Sequence, residues 1–342
     1  MDLSIIIVNY NSKDYLRRCI DSIAANTHGI EYEIIVVDSA SFDGCGEMLR
    51  RHHPKVRFIQ NERNVGFAHS NNIGADSSQG DVLLFLNPDA EMHEPAIPRL
   101  YSSFQGLSNV GAAGCRLLNT DGSLQTSCVQ PFPTVLNQVL DAQILQRWFP
   151  RVGLWTSAAT FGNGAKPVEV EALSGACMMI RRGVFDQVGG FSRDYFMYGE
   201  DLDLCYKTRQ AGFRNYYVPE AVIVHHGGGS SKLARSAFAD VMMRESVSRF
   251  LAKSRGNWYR TCYRLALIAA SATRLLLLTL LYPAWLIQGR SGEWTQVIRK
   301  WTAILRWGVG TEKWTQKYDQ LETAAAGSIG CKGNPCAGSA EN

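Results

Sequence analysis

The chain has 342 residues, 46% of them hydrophobic, and a net charge of +4, enough for one large core plus an appended element. Its nine cysteines include no C-x-x-C pair, which argues against both a zinc ribbon and a disulfide framework and suits a reducing, cytoplasmic setting. The charge is uneven: residues 232–317 carry a net of +11 and the rest −7, a balance suited to an anionic membrane surface and not to nucleic acid.

Leu3–Val8 reads as a first strand. No basic segment precedes it, and Asn9-Tyr10-Asn11 interrupts the apolar run too early for a signal peptide. Lys13–Ala25 places Leu16, Ile20 and Ile23 on one helical face, with Asn11 or Ser12 as its cap. The pattern then alternates: strand Glu33–Val37, helix Asp43–Arg51, strand Val56–Gln60, helix Gly66–Ser77, strand Val82–Leu86, helix Pro95–Phe104 and strand Val110–Cys115. Such alternation predicts an α/β, Rossmann-like fold, a mostly parallel sheet with right-handed crossovers and helices on both faces.

Asn119–Pro167 is weakly periodic and rich in Gly, Pro, Ser and Trp, a stretch of long loops suited to walling a pocket. Leu173–Arg181 resumes strand character, and Glu200–Gly212 reads as a helix stopped by Gly212. Two short strands, Tyr216–Val218 and Val222–Val224, lead into His225-His226 and three glycines, Gly227 to Gly229, which read as a lid or a plain flexible turn. Ser236–Leu251 and Tyr259–Ile287 read as helices, and the tail from Ala324 as disordered. The expected organisation is an α/β domain over 1–231, a basic aromatic helical region over 232–323 and a tail over 324–342.

Three apolar runs end on acidic groups: Ile34–Val37 on Asp38, Val82–Leu86 on Asn87-Pro88-Asp89, and Phe196–Gly199 on Glu200-Asp201. The first two runs read as parallel strands, whose carboxyl ends open onto the ligand crevice of an α/β sheet. There is no G-x-G-x-x-G after the first strand and no P-loop. Asp38 is placed to accept hydrogen bonds from a base imide or ribose hydroxyl, and Asp89 to hold a divalent metal that bridges phosphates. Taken singly, each acid also reads as a turn former or an acidic first helical turn, and His225 as an ordinary strand-end histidine.

Together these residues resemble glycosyltransferase family 2, the inverting nucleotide-sugar transferases of the GT-A fold. The matching segments are Ser4 to Asn11, Val36-Val37-Asp38, Asn64-Val65-Gly66-Phe67 with Asn71 to Gly74, Phe85 to Asp89, Ser174 to Met178, Val188 to Phe191 and Met197 to Leu204. They run in the family's order over about the first 230 residues. The Asn-Pro-Asp version is most like the rhamnosyltransferase branch, which builds bacterial cell-wall and lipopolysaccharide glycans.

Carried over by residue, the resemblance implies Asp38 as the nucleotide-base contact, with Val8, Asn9, Tyr10, Asn64, Gly66 and Asn72 around the nucleotide-sugar. Asn87 and Asp89 would face its diphosphate and a Mn²⁺ or Mg²⁺ ion. Asn87 replaces the first Asp of the family's Asp-x-Asp triplet and is only a neutral ligand. His225 would complete the metal shell, with His226 as the alternate. Asp201 would be the base and Glu200 an acceptor-hydroxyl binder. Gly175 and Ala176 would let the chain pass close to the donor sugar, or would simply pack a core strand.

The resemblance implies a nucleotide-sugar donor, dTDP-L-rhamnose ahead of a UDP-hexose, and a glycan or polyprenyl-diphosphate-linked acceptor. Leu265–Ile287 is apolar but is divided by Arg274 and broken by Pro283, leaving Leu275–Ile287 too short to span about 30 Å of hydrocarbon. With Arg255, Arg260, Arg264, Arg290, Arg299 and Lys300 around it, the segment reads as an interfacial helix whose cations meet headgroups at the inner face of the cell membrane. A helical hairpin, a homodimer surface or a true span are its alternatives. Two other functions compete: a sugar nucleotidyltransferase, which would want a basic Gly-rich loop where Asn9-Tyr10-Asn11 stands, and a non-catalytic carbohydrate-binding scaffold, which would not need Asp89 and Asp201 together.

Overall fold

The structure is a computed structural model, and it describes residues 1–139, 166–227, 237–287 and 289–312. The segment 140–165, the glycines at 228 and 229, the expected boundary at 231 and the tail lie outside the described residues. The strands are β1 (Leu3–Asn9), β2 (Tyr32–Asp38), β3 (Arg57–Gln60), β4 (Val82–Leu86), β5 (Ala90–Glu91), β6 (Val110–Leu118), β7 (Val129–Gln130), β8 (Val168–Val170), β9 (Ala172–Leu173), β10 (Cys177–Arg181) and β11 (Arg214–His225). The helices are α1 (Lys13–Asn26), α2 (Cys45–His52), α3 (Phe67–Asp76), α4 (Ala96–Gly106), α5 (Val135–Val139), α6 (Arg182–Gln187), α7 (Glu200–Gln210), α8 (Ala237–Arg255), α9 (Asn257–Leu280), α10 (Tyr282–Ile287) and α11 (Ser291–Gly308).

One sheet runs β3-β2-β1-β4-β10-β6-β11-β5, with β8 also on β11. All residues of β1 and β4 are buried, as expected of strands covered on both faces. The pairings β3-β2, β2-β1, β1-β4 and β6-β11 are parallel, and β10 enters antiparallel between β4 and β6. An apolar run carries no sign of strand direction, so β10 could not be oriented from its residues. The expected strand Leu173–Arg181 is divided into β9 and β10, with Ser174 to Ala176 turning between them. The two short strands expected before the histidines are one strand, β11, whose register on β6 slips between Val218 and Val222.

After β3 the chain returns to the other side of β1, so the order reverses between β1 and β4, where α/β sheets open a crevice. Register sets Asn9 beside Asp38 and Ile7 beside Leu86, which brings the carboxyl ends of β1, β2 and β4 to one edge. Ser12 occupies the N-cap of α1, but its hydroxyl turns to Asn9 Oδ1 at 2.9 Å. Asp43 caps instead, accepting the N–H of Lys13 at 2.9 Å for α1 and of Cys45 at 3.0 Å for α2.

Helices α8, α9 and α11 pack on one another. Helix α9 buries Tyr263, Leu267 and Ser271, while Trp258, Leu265, Leu276 and Leu280 are exposed along it. It is continuous through Arg274 and is long and apolar enough to cross a bilayer, so the length argument drawn from Leu275–Ile287 does not hold. Arg264, expected among the lipid-facing cations, and Arg274, expected to divide the apolar run, both turn inward. Arg264 donates to the Trp307 carbonyl at 3.0 Å, and Arg274 donates to Val139 O at 2.9 Å with its guanidinium 4.2 Å from the Trp301 ring centroid. Lys300 lies 3.5 Å from Asp240.

Candidate active site

A cavity of about 410 Å³ opens at the carboxyl ends of β1 and β4. Its wall includes Val8, Tyr10, Asn64, Gly66, Asn87 and Asp89 on the strand side, and Gly175, Ala176, Glu200, Asp201 and His225 on the other segments. Residues from more than two hundred positions of chain are thus brought to one enclosure by the reversal at β1. Phe196 to Tyr198, from the third acid-terminated run, complete much of the wall with Ser39, Ser127, Gln130 and Met243, and none of these last four was singled out from the sequence. Met243 comes from α8, so the basic region contributes to the cavity itself.

Asp38, Asn9, Asn72 and His226 are not on this wall. Asp38 is 0% exposed, and its carboxylate accepts from Asn9 Nδ2 at 2.7 Å, Gln60 Nε2 at 2.6 Å, Ser41 N at 3.0 Å and the Ser41 hydroxyl. Burial pushes its carboxyl up, but the bonds from Ser41, Asn9 and Gln60 together outweigh burial and hold it below its ordinary value. Its neighbour Ser39 reaches the cavity in its place. Asn72 is spent on structure, donating to Phe191 O at 2.8 Å and accepting from Phe191 N at 3.0 Å.

His226 turns to Glu91 at 3.0 Å and sits against the Tyr15 ring. Strand alternation separates it from His225, because successive side chains leave a strand on opposite faces. Pairing of His225 with Ala90 across β11 and β5 sets the His225 ring beside the Asn87-Pro88-Asp89 turn. His225 Nε2 lies 3.2 Å from Asp89 Oδ1 and 3.1 Å from Asn87 Nδ2, and Asp89 is 5% exposed. Asp89 Oδ1 and His225 Nε2 are electron-pair donors at a spacing that suits two ligands of one small cation, and the Asn87 amide, turned to present Oδ1 in place of Nδ2, fits a divalent metal beside them.

Among the described residues, Asp38, Asp43 and Cys45 also bring ligand atoms within 4.8 Å of one another. That group is a poorer metal candidate. Its oxygens already accept the bonds given above, and burial, followed by the Asp38 charge, pushes the Cys45 thiol up and keeps it protonated.

The first turn of α7 carries the other acids. Tyr198 and Gly199, both left-handed at φ +69° and +81°, swing the chain into α7, a costly conformation for a tyrosine. Asp201 accepts the Gly175 N–H at 2.9 Å and the Leu202 N–H at 2.8 Å, one on each carboxylate oxygen. Gly175 therefore supplies an N–H to Asp201. A Cβ there would make only ordinary contact, at 3.4 Å from Asp201 Cβ.

Burial pushes the Asp201 carboxyl up against those N–H bonds. Glu200 is 6% exposed with Oε2 unpaired, and burial and then the Asp201 charge push it up to about 8. Gly66 has no alternative, since a Cβ at φ +86° would come 2.4 Å from Phe196 O. Its neighbour Phe67 donates to that same carbonyl at 2.9 Å, which fixes the segment leading to Glu200.

Helix α8 braces this turn. Ser246 Oγ donates to Met197 O at 3.1 Å, Arg249 donates to Asp194 O at 2.8 Å, and Lys253 Nζ lies 3.0 Å from the fully buried Asp203.

The sequence profile of the family described as "Glycosyl transferase family 2" matches residues 4–189, more than half of the chain. The chain belongs to glycosyl transferase family 2. It is 29% identical over 285 residues to N-acetylglucosaminyl-diphospho-decaprenol L-rhamnosyltransferase of Mycobacterium tuberculosis strain H37Rv, covering 80% of this chain and 91% of that one. It is 26% identical over 262 residues to rhamnosyltransferase WbbL of Escherichia coli strain K12, covering 73% and 93%. The mannosyltransferase PcManGT from Pyrobaculum calidifontis, solved in complex with GDP-Man and Mn²⁺, superposes with a TM-score of 0.55 at 19% identity over 91% of this chain and 87% of that one. That likeness shows the shared GT-A-type fold.

Proposed function

We propose that this protein is an inverting glycosyltransferase that moves a sugar from a nucleotide-sugar, dTDP-L-rhamnose before a UDP-hexose, to a lipid-diphosphate-linked cell-envelope glycan. The observation that carries this reading is the sharing of one cavity wall by Asp89, His225 and Asp201, from the β4 end, the β11 end and the α7 start. The rhamnosyltransferase names of the two relatives support the donor, and the decaprenol-diphosphate acceptor in the name of one supports the acceptor.

Asp89, His225 and Asn87 would hold Mn²⁺ or Mg²⁺, which when bound supplies positive charge to the departing diphosphate. Tyr10, Ser39 and Val8 form the wall beside β1 and β2, where the nucleotide lies in this reading, and Asp38 behind them holds that loop in shape. Asp201 takes the proton of the attacking acceptor hydroxyl as the new bond forms opposite the leaving diphosphate. Its two N–H bonds orient the carboxylate, and Glu200 beside it keeps a proton near neutral pH and donates it in a hydrogen bond to an acceptor oxygen.

The protein acts on the cytoplasmic side, with the exposed leucines of α9 resting on the inner face of the membrane that carries such an acceptor. Substituting Asp201→Asn and following transfer from labelled dTDP-rhamnose tests the base: turnover should fall about 10²–10⁴-fold with donor affinity kept. Near-normal transfer would remove Asp201 from the mechanism.

A further inference from the structure

The His225 ring has a second partner that the proposed chemistry has not used. Gln125 Oε1 lies 2.9 Å from His225 Nδ1, and Gln125 Nε2 donates to the His225 backbone carbonyl at 2.6 Å. A carbonyl oxygen can only accept, so the NH₂ end of the Gln125 amide must face it. The amide oxygen is therefore turned to Nδ1. That oxygen also only accepts, so Nδ1 must carry the ring proton. In a neutral imidazole this leaves Nε2 as the accepting nitrogen, with the Asn87 NH₂ group 3.1 Å away as its donor.

Nε2 points at Asp89 Oδ1, 3.2 Å away. Two electron-rich atoms at this spacing can act as neighbouring ligands of one cation seated beside them, about 2.1 Å from each. Gln125 itself is not adjustable: its N–H donates to Leu117 O on β6 at 2.9 Å, and its carbonyl accepts the Cys128 N–H at 3.1 Å. Both backbone groups of the residue are thus pinned, and the side chain is presented from a fixed turn whose next residues include Ser127 on the cavity wall.

We propose that Gln125 is the positioning residue of the metal centre: by reading the backbone of His225 with one end of its amide and the ring with the other, it sets the tautomer and angle at which Nε2 is offered to a divalent metal. This rests on the reading of Asp89, His225 and Asn87 as metal ligands. Outer partners of ligating histidines carry a measurable share of metal affinity. The bond to the His225 carbonyl makes Gln125 selective for this histidine over His226, whose ring is held by Glu91.

The test is a Mn²⁺ titration of the full chain, read by the electron paramagnetic resonance of free Mn²⁺ in the presence of dTDP. Gln125→Leu should weaken Mn²⁺ binding about 10- to 100-fold, His225→Ala should weaken it at least as much, and His226→Ala should leave it unchanged. If His225→Ala loses Mn²⁺ but Gln125→Leu binds like wild type, the role of Gln125 is overturned and the metal reading stands. If both bind like wild type, the metal reading falls and takes this inference with it. A measurement on the unaltered protein guards against a variant that does not fold. In metal-free, ¹⁵N-histidine-labelled protein at about pH 8.5, where histidine is neutral, the His225 ring proton should sit on Nδ1. A proton on Nε2 would overturn the inference outright.

Discussion

Asp38 and Glu200 are both nearly excluded from water, yet their surroundings push them in opposite directions. Around Asp38 every nearby donor has been enlisted, and the carboxylate is held ionised below its ordinary value. Around Glu200 no donor reaches Oε2, Asp201 stands next to it, and its carboxyl is pushed up to about 8. One end of the β1–β4 crevice is thus finished internally, and the other leaves Glu200 Oε2 without a partner. Unpaired buried polar groups are costly, so their presence on a cavity wall marks where a ligand would complete them.

The comparison breaks most visibly at Asp38. Asp38→Ala should remove the shortest bond of the buried Asn9 amide, which keeps only longer ones to Ser41 and Asp43, at about 1–3 kcal/mol, a loss readable by urea unfolding. Glu200→Gln should do the reverse. A carboxyl whose folded value is raised contributes its stability below its ordinary value and loses it as pH rises through the folded value. The variant should therefore gain on wild type between pH 4.5 and about 8 and remain more stable above that, by on the order of 5 kcal/mol. Chemical denaturation across that range checks both sign and window, and equal stability at high pH would mean that Glu200 is solvated.

Lys253 sharpens the same contrast from outside the cavity. Burial pulls Lys207 down and Asp203 pushes it back up, so Asp203 draws on both Lys207 and Lys253. Lys253→Met should lower stability by about 1–2 kcal/mol and cut kcat about tenfold with little change in donor KM, through the α7 turn that carries Asp201. Lys253→Arg should restore most of kcat, and a loss confined to KM would contradict this bracing role.

The smallest stability effect belongs to the exposed leucines. Leu276→Asp with Leu280→Asp should change stability by no more than about 0.5 kcal/mol while abolishing co-sedimentation with anionic vesicles. Unchanged sedimentation would place the membrane contact elsewhere.

Much of the fold was legible because strand and helix periods differ and the N-terminal half alternates between them. The acid-terminated runs also marked Asp89, Glu200 and Asp201, all of which line the cavity. Gln125 gave no such sign. It sits in a polar, aperiodic loop, and its significance comes from one histidine a hundred positions away. Met243 and Lys253 were hidden for a related reason, since a basic aromatic helix reads as surface until its packing partner is known.

From the residues alone came the α/β class, the family, the order of the strands along the chain and the identity of the acids that end them, because these follow from local periodicity and short motifs. The three-dimensional arrangement decided that β10 runs antiparallel, that Asp38 and Asn72 serve the scaffold, that His225 and not His226 faces Asp89, and that α8 braces the turn before Asp201. Those outcomes depend on which hydrogen-bond partners long-range pairing brings within about 3 Å, a quantity that no local pattern encodes.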